Sequence, residues 1–232
     1  MRTEDAEEMR TLPFFKGISS GICEKILQAS FVQRFPQHLD LILEGQPADF
    51  LHIIVDGRVE MFSALRERET TVSILCANDC FIVAAVLLDR IYLQSARVLQ
   101  PARILMIPAD LVRQLSREEL LFSQALINEL AFSYREIVRE LKNQKLRTAL
   151  ERLANWILIY HKESCGLASF ELPFNKNTLA SHLGLAPAVL SRSFSALIPY
   201  NVFVSGSRIL INDVAALEIL AHPKLTFDVS KI

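Results

Sequence analysis

Ala188, Ser191, Arg192 and Ser195 recur at i, i+3, i+4 and i+7, so a helix through them turns three short side chains and one guanidinium outward together. Such a set can hydrogen-bond to the groove of a nucleic acid. Leu190, Phe194 and Leu197 make an apolar stripe on another face of the same helix, and Pro187 suits its first turn. A helix before it is expected from Asn175 as cap, with Leu179, Ala180 and Leu183 apolar on one side and Gly184 as the stop. Two helices joined this way form a helix-turn-helix, whose second helix enters the DNA major groove. VFVSGSRILI then reads as two short strands around a Ser205-Gly206-Ser207 turn, the wing of a winged helix-turn-helix. The same pattern also suits two amphipathic helices of an all-α domain, so the rest of the chain has to decide.

Other reactive residues form no constellation. Four cysteines at 23, 76, 80 and 165 include no C-x-x-C pair, which points to neither a disulfide framework nor a zinc knuckle. There is no G-x-S-x-G, no glycine-rich phosphate loop and no H-E-x-x-H, so the chain is read as no enzyme.

The elements that must carry the reader follow from texture. Residues 1–10 look frayed, and a helix with Ile22, Ile26, Leu27 and Phe31 at helical spacing comes next. From Phe35 to Pro108 short β-branched and apolar runs alternate with turn residues, as in an antiparallel barrel or jelly roll with one helical insertion near VAAVLLD. Asp56-Gly57, between FLHIIV and RVEMF, carries the signature of a hairpin turn. Asn78, in the turn CANDC, can tolerate the positive φ that glycine usually takes. Pro108 opens a short helix at ADLVRQLS. A long helix follows from about Arg117 to Asn143, with Leu120, Ser123, Ile127, Leu130, Tyr134, Ile137 and Leu141 at alternating spacings of three and four. That spacing suits a helix packed on its own domain or, the reading favoured here, the seam of a parallel dimer. After a break near Gln144 comes a second amphipathic helix, LRTALERLANWILIYHK.

The expected architecture is thus α+β in 232 residues: helix and β-roll over 1–116, dimerisation helix over 117–143, winged helix-turn-helix over 144–232. A formal net charge of −1 advertises no nucleic acid overall, but from Lys145 onward nine Lys/Arg face six Asp/Glu. No apolar run is long enough for a membrane span and MRTEDAEEMR is no signal peptide, which places the protein in the cytoplasm without a membrane partner.

In this order the elements resemble the CRP/FNR family of bacterial transcription regulators over nearly the whole chain. LILEGQPADFLHIIVDGRVEMF is similar to the family's early roll signature, through Glu44-Gly45, Pro47-Ala48-Asp49 and Asp56-Gly57. LASHLGLAPAVLSRSFSAL is similar to its helix-turn-helix, through Leu179-Ala180, Leu183-Gly184 and Ser191-Arg192. The resemblance implies a homodimeric regulator or activator that binds a palindromic double-stranded operator and works with RNA polymerase. It makes Arg192 a reader of guanine O6 and N7 and Ser191 a contact to base edge or phosphate. Asn175, Lys176, Asn177, Ser207 and Arg208 become phosphate contacts that set register. The family's usual Glu, one turn before the Arg, is Ala188 here, so the operator should depart from the common half-site.

The effector pocket departs further. Cyclic-nucleotide-binding members open the roll's helix with Phe-Gly-Glu and follow it with Arg-Ser/Thr. Here Val83, Ala84 and Gln94 replace the Gly, Glu and Arg, while Ser95 stays and Ala85 adds apolar surface. A bound cyclic nucleotide would lose its water without gaining charged partners, so cyclic AMP or GMP is not the expected effector. Cys23 alone in the first 75 residues cannot hold an iron–sulfur cluster. An apolar pocket leaves a hydrophobic effector or a haem. The haem-binding, CO- or NO-sensing members give Cys80, Cys76, His52 and His38 as candidate axial ligands, though no Cys-Pro or paired-His motif is present. Cys76 and Cys80 could also form a thiol switch. A reading of another class, a signalling or scaffold protein whose winged helix contacts protein, is separated from these by gel shift on duplex DNA.

Overall fold

The computed structural model describes residues 3–164 and 166–228, so Cys165 lies outside it. The chain divides into two compact units, residues 1–133 and 134–232, with one long helix running through the division.

The first unit begins with α1 (Thr3–Arg10) and α2 (Ser20–Ala29). Strands β1 (Phe31–Phe35), β2 (Asp40–Ile42), β3 (Phe50–Leu65), β4 (Arg68–Leu75) and β5 (Cys80–Phe81) follow. Then come α3 (Val83–Leu88), β6 (Ser95–Pro108), α4 (Ala109–Glu118) and the start of α5 (Leu120–Leu146). All strands pair antiparallel in the order β1-β6-β3-β4, with β2 added to β6 and β5 to β3. The β-roll is built on β3 and β6, which pair from Phe50↔Pro108 to Phe62↔Ser95 and change partners midway. β1 takes the Ala102–Met106 part of β6, and β2 takes its start. The interior is aliphatic, with Leu51, Ile53, Ile104, Leu105 and Ile107 fully buried.

Three expectations change here. Residues 3–10 are helical rather than frayed, because Met9 is buried and Glu8 pairs with Arg103. The helix before the roll ends at Ala29, and Phe31 starts a strand, 56% exposed, instead of continuing the apolar face. Asp56-Gly57 is not a hairpin turn. β3 runs straight through it, and the register with β6 shifts on both sides of Asp56. A run of bulges opposite Pro101 lets the paired strands bend, and a positive φ, 94° at Gly57, serves a bulge as well as a turn. Asn78 does take a positive φ, 73°.

The second unit holds the rest of α5, then α6 (Ala149–Glu163), β7 (Ser169–Glu171), α7 (Lys176–His182), α8 (Pro187–Ala196), β8 (Val202–Ser205), β9 (Arg208–Ile211), α9 (Val214–Ala221) and α10 (Leu225–Asp228). The break between the long helices falls at Arg147–Thr148. The Glu151 amide donates to the Thr148 hydroxyl, while the Glu151 carboxylate accepts the Thr148 amide at 2.7 Å, a reciprocal capping box. The Thr148 amide, and after it the Thr148 hydroxyl donating to the same carboxylate at 2.8 Å, hold the Glu151 carboxyl below its ordinary pKa. Thr148→Ala should therefore cost about 1 kcal/mol of stability, read as a lower urea midpoint. Arg147 also forms a bidentate pair with Asp228, both side chains 9% exposed, and lies over the Phe227 ring. Asn155 donates to the Ala221 carbonyl at 2.7 Å and ties α9 to α6.

Candidate nucleic-acid interface and effector sites

The reader is assembled from local signals. Asn175 Oδ1 accepts the Thr178 amide at 2.8 Å and starts α7; Gly184, at φ 63°, turns the chain after it; Pro187 occupies the first turn of α8. Leu179, Leu183, Leu190 and Leu197 are buried between the helices and the sheet, which fixes how α8 is rotated. As a result Ala188, Ser191, Arg192 and Ser195 are all exposed on one face. Arg192 Nε donates back to the Ala188 carbonyl at 3.3 Å and Ser195 to the Ser191 carbonyl at 3.4 Å, so both side chains lie along the helix.

The flanking positions have different degrees of freedom. Lys176 and Asn177 are exposed, with the Lys176 ammonium 5.3 Å from the Phe194 ring centre. Asn175 spends its carbonyl oxygen on the cap. Ser207 and Arg208 lie at the wing hairpin, where Arg208 Nε donates to Ser169 Oγ at 2.7 Å and Ser207 donates to Glu171 at 3.5 Å. Their anchor, β7, escapes sequence reading: three residues, SFE, carry too little pattern. β7 pairs β9 and completes a sheet of order β7-β9-β8.

The seam of α5 is two-faced. Phe122 and Leu126 are buried in the core of the first unit, and Leu130 packs partly against it. Leu120, Ile127, Tyr134, Ile137 and Leu141 are exposed, from 52% to 81%.

In the roll three of the five pocket positions lie at the start of α3 and two at or directly before the start of β6. Val83 is buried, Ala85 half-buried and Ala84 exposed. The Ser95 hydroxyl accepts the Glu44 amide at 3.0 Å, and Gln94 Oε1 is buried with no hydrogen-bond partner. Val83, Ala84, Ala85, Gln94 and Ser95 themselves supply neither a carboxylate nor a guanidinium. The haem candidates do not converge. His52 pairs with Phe81 and Ile53 with Cys80, so alternation puts the His52 and Cys80 side chains on opposite faces of the sheet. The two cannot ligate one iron. His52 is buried and stacked on Phe81 at 5.0 Å between centroids, and desolvation pushes its pKa down to about 4. Cys76 accepts from Arg58 Nη1 at 3.0 Å, and His38 is exposed at φ 69°. Among the described residues no group of three or more His, Cys, Asp or Glu could hold a metal ion, and no helix is long and apolar enough to cross a membrane.

Comparison with known proteins follows the same division. Residues 32–119 match the family model of the cyclic nucleotide-binding domain, and residues 151–220 that of the Crp-like helix-turn-helix domain. The fold is similar to FixK2 from Bradyrhizobium japonicum, 16% identical with a TM-score of 0.72 over 88% of this chain and 99% of that one. It is similar to a CooA mutant from Carboxydothermus hydrogenoformans, 18% identical, TM-score 0.70, over 85% and 90%. It is also similar to CLP, the c-di-GMP-responsive global regulator from Xanthomonas campestris, 16% identical, TM-score 0.72, over 83% and 99%. No curated protein matches the sequence.

Proposed function

Since the chain belongs to the CRP/FNR family of bacterial transcription regulators, we propose that it is a homodimeric, sequence-specific DNA-binding regulator controlled by an effector other than cyclic AMP. The observation that carries the reading is the outward face of α8: Ala188, Ser191, Arg192 and Ser195 share it, with Leu190 and Phe194 turned into the core. Two copies related by a two-fold axis would set their α8 helices into successive major grooves, with half-sites one turn of DNA apart. Arg192 then reads a guanine, and Ser191 a base edge or phosphate. Lys176 and Asn177 contact phosphates from the first helix, and Ser207 and Arg208 from the wing, where β7 holds them in place. Ala188 offers only a methyl where a longer acidic side chain would accept from cytosine N4, so thymine is favoured opposite it. RNA polymerase, contacted from the bound operator in the cytoplasm, completes the reading.

Residues 83–95 support control by something other than cyclic AMP. The Ser95 hydroxyl already accepts the Glu44 amide, and Val83, Ala84 and Gln94 carry no charge to meet a phosphate. Selection from random duplex DNA at stated salt tests the reader. Arg192→Ala should lose about 1–3 kcal/mol of discrimination at one base pair while keeping weak, salt-dependent binding. An unchanged base preference at every position would remove Arg192 from this role.

A further inference from the structure

On the face of β3 that carries Phe50 and His52, a cleft of about 450 Å³ opens in the roll. None of the family's pocket positions Val83, Ala84, Ala85, Gln94 and Ser95 lines it. Its volume is in the range of small-molecule sites. The polar part of its wall comes from Gln33, Gln46, Asp49, His52 and Tyr92; Phe35, Phe50 and Met106 supply aromatic rings and a thioether.

Two features say what would fit. The first is charge. Asp49 is exposed at the cleft, no Lys or Arg lines it, and His52 is neutral at physiological pH because its burial holds the pKa at about 4. A phosphate or carboxylate would meet a carboxylate and no cation, whereas a cation would be attracted both by Asp49 and by the ring faces. The second is an unmet polar group. His52 is 5% exposed, the Phe50 backbone only weakly offsets the desolvation of its ring, and its Nδ1 makes no hydrogen bond of good geometry. Buried polar atoms are in most cases hydrogen-bonded to protein, to an ordered water or to a ligand, so a group entering the cleft has an acceptor or donor to meet here.

We propose that this cleft binds a small planar aromatic cation, of the amidinium or protonated N-heterocycle class, with its N–H groups on Asp49 and its ring against Phe50. The site has a packed connection to the rest of the roll. Phe50 meets His52 at 6.4 Å between centroids, and His52 is stacked on Phe81, which directly precedes Ile82 and α3. Ile82 is held at φ 69°, a costly conformation for a β-branched residue, and α3 is tied to α4 by Arg113 donating to the Val86 carbonyl at 3.1 Å. Occupancy at Phe50 therefore bears on a strained joint, and a ligand that favoured one arrangement of it would shift its population. This part rests on the effector-controlled reading above; the binding itself does not.

The test uses the full chain without DNA. Benzamidine is titrated by calorimetry, with benzoate as the isostere of opposite charge. Benzamidine should bind with one site per chain and benzoate at least tenfold more weakly. Asp49→Asn, at an exposed side chain, should cut benzamidine affinity about tenfold or more with the unfolding midpoint unchanged, and Phe50→Ala should cut it as well. Equal binding of the two probes, no binding of benzamidine, or benzamidine binding untouched by Asp49→Asn overturns the proposal. Gel shift on the same sample reports operator binding separately, so loss of the regulator reading and loss of this site give different results.

Discussion

Ile127→Glu combined with Ile137→Glu is expected to give a folded monomer that no longer binds a palindromic operator. Both side chains are large, apolar and more than 60% exposed on α5. Exposed isoleucines at this spacing are stable in water only at a cost that a second copy of the helix would remove. Burying each contributes about 1.5–3 kcal/mol, and a two-fold dimer contains four of them. Their loss therefore removes on the order of 6 kcal/mol, more than 10⁴-fold in the dissociation constant, before the repulsion of facing carboxylates is added. Leu130 belongs to the same sequence seam but packs partly against the roll's own core, so a charge there would damage the unit itself and confuse the result. Light scattering near micromolar concentration reads the mass, and the thermal midpoint checks that each unit still folds. A dimer that survives both substitutions would remove the seam from the interface.

How much of this is legible in the sequence depends on how local each signal is. The helix-turn-helix is fixed by contacts within a few residues: the Asn175 cap, the Gly184 turn, Pro187 in a first turn, and an apolar stripe that hides Leu190 and Leu197. Those signals leave little for distant parts of the chain to overrule. The long helix is equally legible in kind but shifted: it spans Leu120–Leu146 rather than about 117–143. Its end is readable, since Thr148 and Glu151 have the spacing of a capping box, yet the apolar Leu146 upstream reads as the start of the next helix although it is 70% exposed. Phe31 illustrates the opposite case. Its spacing from Leu27 fits a helix, but β6 offers a pairing edge, and Phe31↔Met106 wins. The cleft at Phe50 and His52 has no sequence signal at all, because its wall gathers residues from positions 33 to 106 that only the rolled sheet brings together.

Gly57→Ala is expected to destabilise the roll by about 3–5 kcal/mol, a large part of what holds an ordinary domain folded. In a two-residue hairpin turn, as the Asp-Gly pair suggests, an alanine at positive φ would cost about 1–2 kcal/mol in backbone strain and project into solvent. Here β3 continues through Gly57 at φ 94°, and β6 lies directly against it. A Cβ built there would stand 2.4 Å from the Pro101 carbonyl oxygen and 2.6 Å from Ala102 Cα. Both are backbone atoms of a strand paired at its two ends, so neither can withdraw as a flexible side chain would. Gly206→Ala is the matched control. Its φ is 60° and its added Cβ would meet nothing within 4 Å, so it isolates the backbone strain alone at about 1–2 kcal/mol. Urea midpoints of the two variants against the parent separate the contributions. If the two alanines cost the same, β6 yields at Pro101 and the close packing of the bulge is not what requires glycine; a difference of about 2 kcal/mol or more, on the order of one severe clash, places the requirement in the pairing of β3 with β6.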